Sequence, residues 1–304
     1  MRSGVRDVFM STTGANRSPL QVTVLGSGSR GNALLVDGSA GTVLIDAGYG
    51  PRALQQRLHA VGRRHEEIQG LLLTHEHVDH ASGAPAVSAK WGVTVHATPR
   101  TLAALDTLPD GPPMHRAALA EQGASVVAGF EITHCAVPHD AADCRALRLT
   151  DVASGASMAV VLDCGAVTNT LAGFLRDADL LVVESNHDRE MLANGPYPRV
   201  LKQRIRGGRG HLSNAETAEL LAACAHKGLQ GVLLAHLSET NNTAGHAVEA
   251  ARGALSKAGW RKELLWACAQ REATPAVWVG GMGGGELSVF WYGGVAAGGR
   301  RRGV

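Results

Sequence analysis

Thr74-His75-Glu76-His77-Val78-Asp79-His80 places four potential metal ligands within six residues, directly after the apolar stretch Leu71-Leu72-Leu73. Imidazole and carboxylate together suit a borderline-soft divalent ion such as zinc, which brings the pKa of a bound water down to about 7 and so makes a hydroxide nucleophile. Hung on the end of a buried strand, the cluster reads as half of a dinuclear metal site. A solvated His-rich turn accounts for one or two of these histidines, but poorly for His-x-His-x-Asp-His behind an apolar strand.

The motif resembles the signature of the metallo-β-lactamase superfamily. That resemblance implies a lone His, a lone Asp and a last His, each at the end of a later strand. The sequence offers all three. Phe130-Glu131-Ile132-Thr133 leads through Val137 to His139-Asp140-Ala141, Met158-Ala159-Val160-Val161-Leu162 ends in Asp163, and Gly231-Val232-Leu233-Leu234-Ala235 ends in His236. A rigid sheet aims side chains at one point from its rim in this way.

Carried over residue by residue, the resemblance implies His75, His77 and His139 on a first ion, Asp79, His80 and His236 on a second, and Asp163 bridging them. Two ions roughly 3.5–4 Å apart stabilise both the attacking and the leaving oxygen of a displacement. The diiron redox branch of the superfamily carries Glu where His77 stands here, so zinc and hydrolysis are expected, with Mn²⁺ the alternative metal. His134 competes with His139 for the lone-His role, but the His-Asp-Ala context favours His139 and leaves His134 a structural residue. Cys164, beside Asp163, is expected to be a small packing residue rather than a ligand.

The elements that must position these residues follow an α/β pattern. A chain of 304 residues, 45% of them hydrophobic, can bury one large core, and with only 4% aromatics that core is aliphatic. The net charge of +2 sets up no global field that demands nucleic acid. Cys135, Cys144, Cys164, Cys224 and Cys268 are odd in number and form no Cys-x-x-Cys pair; they read as reduced thiols of a cytoplasmic protein. No stretch approaches 18 consecutive apolar residues, so no membrane span is expected. Residues 1–19 read as a disordered leader, 20–272 as the hydrolase domain, and 273–304, Gly-rich and ending Arg300-Arg301-Arg302, as a poorly ordered tail.

Val22 to Leu25 is a strand running into Gly26-Ser27-Gly28-Ser29-Arg30-Gly31-Asn32. Residues 33–36 and 42–45 pair as a hairpin across Asp37-Gly38-Ser39, and Pro51 opens a helix to about Val61. The Gly-rich loop lacks the Lys-Ser/Thr of a phosphate cradle, so it reads as a tight turn close to the metals, with Arg30 an outside candidate for substrate contact. The second half holds strand 180–183, helices near 188–193, 199–206 and 213–227, strand 231–235 and helix 244–258. The resemblance implies that these elements form a four-layer αββα sandwich.

The second half also bears on the substrate. Glu184-Ser185-Asn186-His187-Asp188 follows a buried strand, where an acid can support the metal shell. Lys202, Arg204, Arg206 and Arg209 place four cations within eight residues. Gly210-His211-Leu212-Ser213-Asn214 then enters a helix whose Ser213 and Glu216 have capping-box spacing. The helix start and the cations favour a phosphate, with Ser213 and Asn214 among its contacts and His211 donating to a leaving oxygen. A solvated helix face and a purely structural cap are the bland readings of the same residues.

With Gly195-Pro196-Tyr197-Pro198 and Ala235-His236-Leu237-Ser238-Glu239-Thr240-Asn241-Asn242, these strings resemble the YycJ/WalJ-like branch of the superfamily over roughly residues 21–270. That branch implies a dinuclear metal-dependent phosphodiesterase, an exonuclease on DNA or RNA. In the mechanism expected from the residues, Asp79 accepts a proton and Lys202, Arg204, Arg206 or Arg209 holds flanking phosphates. A small-molecule hydrolase of the same superfamily, acting on a thioester, lactone or phosphoester, is the alternative. A non-catalytic metal or nucleic-acid binder is a more remote one, since no ligand is missing.

Overall fold

The computed structural model describes residues 20–106, 113–262, 264–268, 273–274, 276–279 and 289–290. In chain order the elements are β1 (Leu20–Gly26), β2 (Ala33–Asp37), β3 (Thr42–Ile45), α1 (Pro51–Ala60), β4 (Ile68–Leu72), α2 (Val78–Ala81), α3 (Ala84–Trp91), β5 (Val95–Ala97), α4 (Pro99–Leu105), β6 (Arg116–Ala118), β7 (Ser125–Val127), β8 (Phe130–Ala136), β9 (Arg145–Asp151), β10 (Ser157–Val161), α5 (Asn169–Leu175), β11 (Leu180–Glu184), α6 (Arg189–Asn194), α7 (Arg199–Ile205), α8 (Asn214–Cys224), β12 (Gly231–Ala235), α9 (Ala244–Lys257), β13 (Leu264–Ala267), β14 (Ala276–Val279) and β15 (Val289–Phe290).

Two sheets result, ordered β15-β14-β1-β2-β3-β4-β5-β6 and β13-β12-β11-β10-β9-β8-β7. Their central strands are apolar on both faces, the pattern of a sheet covered on both sides. Along β2 and β3, Leu34, Val36, Val43 and Ile45 point inward to the core between the sheets, while Leu35 and Leu44 point outward, toward α1 and α3. In the second sheet Val160, Val182 and Leu233 face the same inner core, and Val161, Val183 and Leu234 pack outward with Leu171 of α5, Leu220 and Leu221 of α8 and Leu255 of α9. Strict alternation with three apolar layers gives the αββα sandwich expected from the sequence.

The topology also decides where chemistry can sit. β3, β4, β5 and β6 run parallel, as do β10, β11, β12 and β13. Their carboxyl ends therefore lie along one rim of each sheet, where the crevices of open parallel sheets form. The β2–β3 hairpin pairs Asp37 with Thr42 across the expected turn.

One boundary differs from the sequence reading. The stretch assigned to a poorly ordered tail supplies β14, which pairs antiparallel with β1 in the register Leu20↔Val279 and Val22↔Val277 and is itself paired by β15. Val277 is 2% exposed and extends the inner core, and the Thr274 hydroxyl accepts from Val24 N at 2.9 Å. An alternating apolar segment finding the free edge of β1 outweighs the glycines around it, so the sheet continues past residue 272. The leader, residues 1–19, and the rest of the tail lie outside the described residues.

A candidate metal centre at the strand ends

Each segment that carries a candidate ligand is held by the element before it. After β4, Leu73, Thr74 and His75 continue the buried line of the strand, and α2 turns His80 back beneath them. Two close backbone contacts fix that turn: Asn32 N donates to Asp79 O at 2.8 Å and Ala47 N to His80 O at 2.7 Å. Gly48 lies so close that a Cβ there would sit 1.9 Å from Asp79 O. Since the obstacle is backbone, Gly48→Ala is expected to cost about 1–3 kcal/mol of stability and to shift the ligand turn, read as a lower denaturation midpoint together with reduced metal content.

Asp46, Asp163 and His236 all adopt a left-handed backbone, with φ of 60°, 51° and 51°. They follow β3, β10 and β12, and the sharp bend at each strand end turns the side chain into the space between the two sheets. Non-glycine residues persist in this region only when their surroundings over-determine them. His236 shows how: its N–H donates to Ser27 Oγ at 2.7 Å, tying the end of β12 to the loop after β1 in the other sheet.

Three overlapping groups form, each with one ligand atom per residue and all of those atoms within 4.8 Å of one another: His75, His77, His139 and Asp163; Asp79, His80, Asp163 and His236; and Asp163, Glu184, His211 and His236. The first two are the sets expected from the sequence, and Asp163 joins them. Across the cluster His75 Nε2, His80 Nε2 and His139 Nε2 lie 3.4, 3.5 and 3.4 Å from Asp163 Oδ2, and His77 Nδ1 lies 3.3 Å from His139 Nε2.

Outer partners fix the tautomers. His80 Nδ1 donates to Asp46 Oδ2 at 2.7 Å, His139 Nδ1 to Gly210 O at 2.9 Å and His236 Nδ1 to Glu184 Oε1 at 2.9 Å. His75 Nδ1 lies 3.1 Å from Thr74 Oγ1, whose hydroxyl donates to Asp46. In all four rings Nδ1 is thereby engaged and Nε2 is turned into the cluster, the arrangement by which a neighbouring acceptor orients a metal-binding imidazole. His75 Nε2 and Asp163 Oδ1 are buried with no hydrogen bond, although His236 Nδ1, whose one N–H goes to Glu184, lies 2.8 Å from Asp163 Oδ1. Buried atoms of this kind ordinarily have partners. A hard-to-borderline divalent cation would satisfy them, and the N/O donor set fits one.

The electrostatics agree. Burial drives the His75 pKa down to about 4, so this ring is neutral and ready to ligate. Burial also opposes charge on His80, but the Asp163 and Asp46 carboxylates outweigh it and lift the group to about 10; Asp163 acts likewise on His236. Asp163 is held well below the usual carboxylate range, against its burial, by His236 and His80. A field that draws protons onto buried imidazoles draws a divalent cation equally, which displaces those protons on binding.

Glu184, at the end of β11, is fully buried and reaches farther than a supporting acid usually does. Its Oε1 accepts from His211 Nδ1 at 2.7 Å and from His236 Nδ1, while Oε2 accepts from Cys164 N at 2.9 Å and Leu212 N at 3.1 Å. Burial raises its pKa, yet His211 and His236 bring it down to about 2. The same carboxylate raises His211 above the ordinary histidine value in spite of that residue's burial.

The remaining sequence candidates separate. Arg204 lines a cavity of about 290 Å³ over the ligands, with Tyr197, Ile205 and His211, and pairs with Asp140 at 2.7 Å. Arg209 donates from Nε and Nη2 to His139 O, at 3.0 and 2.9 Å, and so braces a candidate ligand from outside the cavity. Ser213 caps α8 through Glu216 N, and buried Asn214 is bonded to Ser185 Oγ and Asn242 Oδ1; neither faces the cavity, because strand-to-helix packing consumes their polar atoms. Lys202 and Arg206 lie on the other side of α7. Arg30 pairs with Glu239 at 2.9 Å. His134 Nε2 meets Ala120 O at 3.0 Å, as a structural residue should. Cys164 belongs to none of the three groups, and burial pushes its thiol up to about 12.

Sequence reasoning missed Asp46, Thr74 and Asn32. Asp46 carried the same signal as the others, an apolar run ending in an acid. Asn32 carried none, since its amide lies 3.0 Å from His80 Nε2 only through the fold.

Known proteins place this geometry. Residues 41–236 match the family described as the beta-lactamase superfamily domain. Exodeoxyribonuclease WalJ of Streptococcus pneumoniae serotype 2 (strain D39) is 32% identical over 226 residues, 72% of this chain and 82% of the relative. Exodeoxyribonuclease YycJ of Bacillus anthracis is 32% identical over 224 residues, 73% of this chain and 84% of that protein. Among solved structures, the metallo-β-lactamase fold protein YhfI from Bacillus subtilis superposes with a TM-score of 0.63 at 18% identity, covering 84% of this chain and 98% of YhfI, which speaks for the fold. With a rim of candidate ligands on two facing sheets and about a third of the aligned residues identical to WalJ and YycJ, the chain belongs to the metallo-β-lactamase-fold superfamily, in the YycJ-like branch.

Proposed function

We propose that the protein is a metal-dependent exonuclease that hydrolyses phosphodiester bonds of DNA at a two-ion site, with zinc as the resident metal and Mn²⁺ able to replace it. The observation that carries this reading is Asp163: one carboxylate sits in both the His75/His77/His139 group and the Asp79/His80/His236 group, the arrangement a pair of ions needs. Relatives named exodeoxyribonucleases supply the substrate class. When bound, the ions supply an activated water and neutralise charge developing on the phosphoryl oxygens.

The residues around them divide the remaining work. Asp79 is kept ionised by hydrogen bonding from His236 and by the charge of His80, in opposition to its burial, which suits a ligand that orients the attacking water. His211 has Nδ1 engaged with Glu184 and borders the cavity, so its other nitrogen can hand a proton to the leaving oxygen. Arg204 holds a non-bridging oxygen once Asp140 yields it. A cavity that reads backbone charge needs little base specificity, so cutting is expected to be sequence-neutral and to weaken with salt.

No helix among the described residues is long and apolar enough to cross a membrane. The five free cysteines fit work in the cytoplasm.

The test is incubation of the full chain and Zn²⁺ or Mn²⁺ with end-labelled DNA, RNA and a panel of thioesters and lactones. DNA is expected to shorten progressively, and a chelator to stop it. His211→Gln is expected to slow cleavage about 10²–10⁴-fold while metal content stays constant. Turnover of the ester panel with DNA untouched would instead favour the small-molecule hydrolase.

A further inference from the structure

α7 is a partition about 10 Å thick, the width of a helix with its side chains. Leu201, Arg204 and Ile205, spaced i, i+3 and i+4, line the metal cavity. Arg199, Lys202 and Arg206, on the opposite stripe, line a second cavity of about 580 Å³, which Arg189 and His187 complete. Adjacent residues divide in the same way: Asn186 borders the metals, and His187 borders the second space.

Four cationic side chains there face one carboxylate, Glu216, and that carboxylate is already engaged. It accepts from Ser213 N at 2.8 Å and from the Ser213 hydroxyl, and its other oxygen lies 3.5 Å from Arg189 Nη2. Arg189 also donates to Ser213 Oγ, and Lys202 Nζ to Ala193 O at 2.7 Å, which leaves the ammonium two further protons. Arg199 and Arg206 make no side-chain hydrogen bond or ion pair with any described residue. An independent sign points to a ligand: His187 is 2% exposed, yet its Nδ1 is buried without a hydrogen-bond partner. Buried imidazole nitrogens are ordinarily satisfied.

We propose that this second cavity is a phosphate-binding site that grips the nucleic-acid strand beyond the scissile bond, with Arg199, Lys202 and Arg206 supplying charge and His187 a hydrogen bond to a phosphate oxygen. Guanidinium groups recognise phosphate by paired donors, and unpartnered ones lose no existing bond in doing so. The proposal rests on the nuclease reading for the identity of its ligand. It explains why the basic run around α7 is split between two faces: one stripe attends the reacting phosphate and the other holds its neighbour.

Binding of a fluorescent single-stranded phosphorothioate oligodeoxynucleotide to the metal-loaded full chain, followed by anisotropy over a salt series, tests it. The double variant Arg199→Ala/Arg206→Ala is expected to weaken binding about tenfold or more and to flatten the log–log salt dependence by about 1.4, from two lost contacts at about 0.7 each. His187→Phe, which removes the nitrogens and keeps a ring, is expected to cost about three- to tenfold. Arg252→Ala, the same charge loss on the solvent face of α9, should bind as wild type.

Oligonucleotides with 5′-phosphate and 5′-hydroxyl ends separate the sources of the anion. A loss confined to the phosphorylated strand assigns the pocket to a terminal phosphate, and an equal loss assigns it to an internal diester. Wild-type affinity and slope in the double variant, or no binding by the wild-type chain, overturn the site. Because binding is read without cleavage, an intact phosphate site in a protein that cuts no DNA would sink the nuclease reading alone.

Discussion

Asp163→Asn is expected to abolish metal-dependent cleavage, by at least about a thousandfold, while the protein stays folded. The reasoning is geometric before it is electrostatic. Residue 163 has φ of 51°, a conformation that asparagine tolerates nearly as well as aspartate, so the backbone after β10 has no cause to move. What changes is the charge at the one residue common to both ligand groups. An amide offers a single neutral oxygen and cannot serve two cations. Metal analysis should therefore show less than the full complement, and circular dichroism an unchanged fold. His77→Ala should be similarly inactive, since it removes a donor without touching the strands. Near-native turnover in either folded variant would contradict the two-ion arrangement.

Glu184→Gln is the second substitution with a large expected effect, and it acts through its neighbours. The carboxylate accepts from two imidazoles and two backbone N–H groups. A glutamine keeps the volume but turns an NH₂ toward donors, so at least one buried N–H loses its acceptor. The expected results are a loss of about 3 kcal/mol in unfolding free energy and a metal affinity lower by about 10–100-fold. Replacement also removes the charge that raises His211, so the proton donor should lose its proton at lower pH. The falling alkaline limb of the cleavage profile is expected to move to lower pH in this variant. An unshifted limb with normal metal content would mean that Glu184 serves the fold alone.

The candidate ligands were legible because the signal for each is local. An apolar run that stops at His or Asp marks a strand end, and His139, Asp163 and His236 all carry it, as does Glu184 after Leu180 to Val183. The layered fold was legible for the same reason, through period-two runs buried on both faces. Contacts made by tertiary approach were not. Asn32 reaches His80, Arg209 braces His139 through a carbonyl, and Ser213 and Asn214 are consumed by internal bonds; nothing in their neighbours along the chain says so. The cations of α7 were visible as a run, but which of them shared a face with Arg189 and His187 depended on how the helix docked. β14 was misread because glycine content outweighed a four-residue strand whose partner, β1, lies some 250 positions earlier, as the Thr274 bond to Val24 records.

The left-handed turns at Asp46, Asp163 and His236 set robustness against reactivity. Side chains held in such conformations cost of order 1 kcal/mol or more apiece, and here the surrounding sheets bear that cost so that three strand tips can converge. A descendant freed from hydrolysis would gain by relaxing them to glycine, and would melt at a higher temperature as it lost its grip on metal. The rim that carries the candidate ligands is thus the part of this molecule that selection for durability alone would erase first.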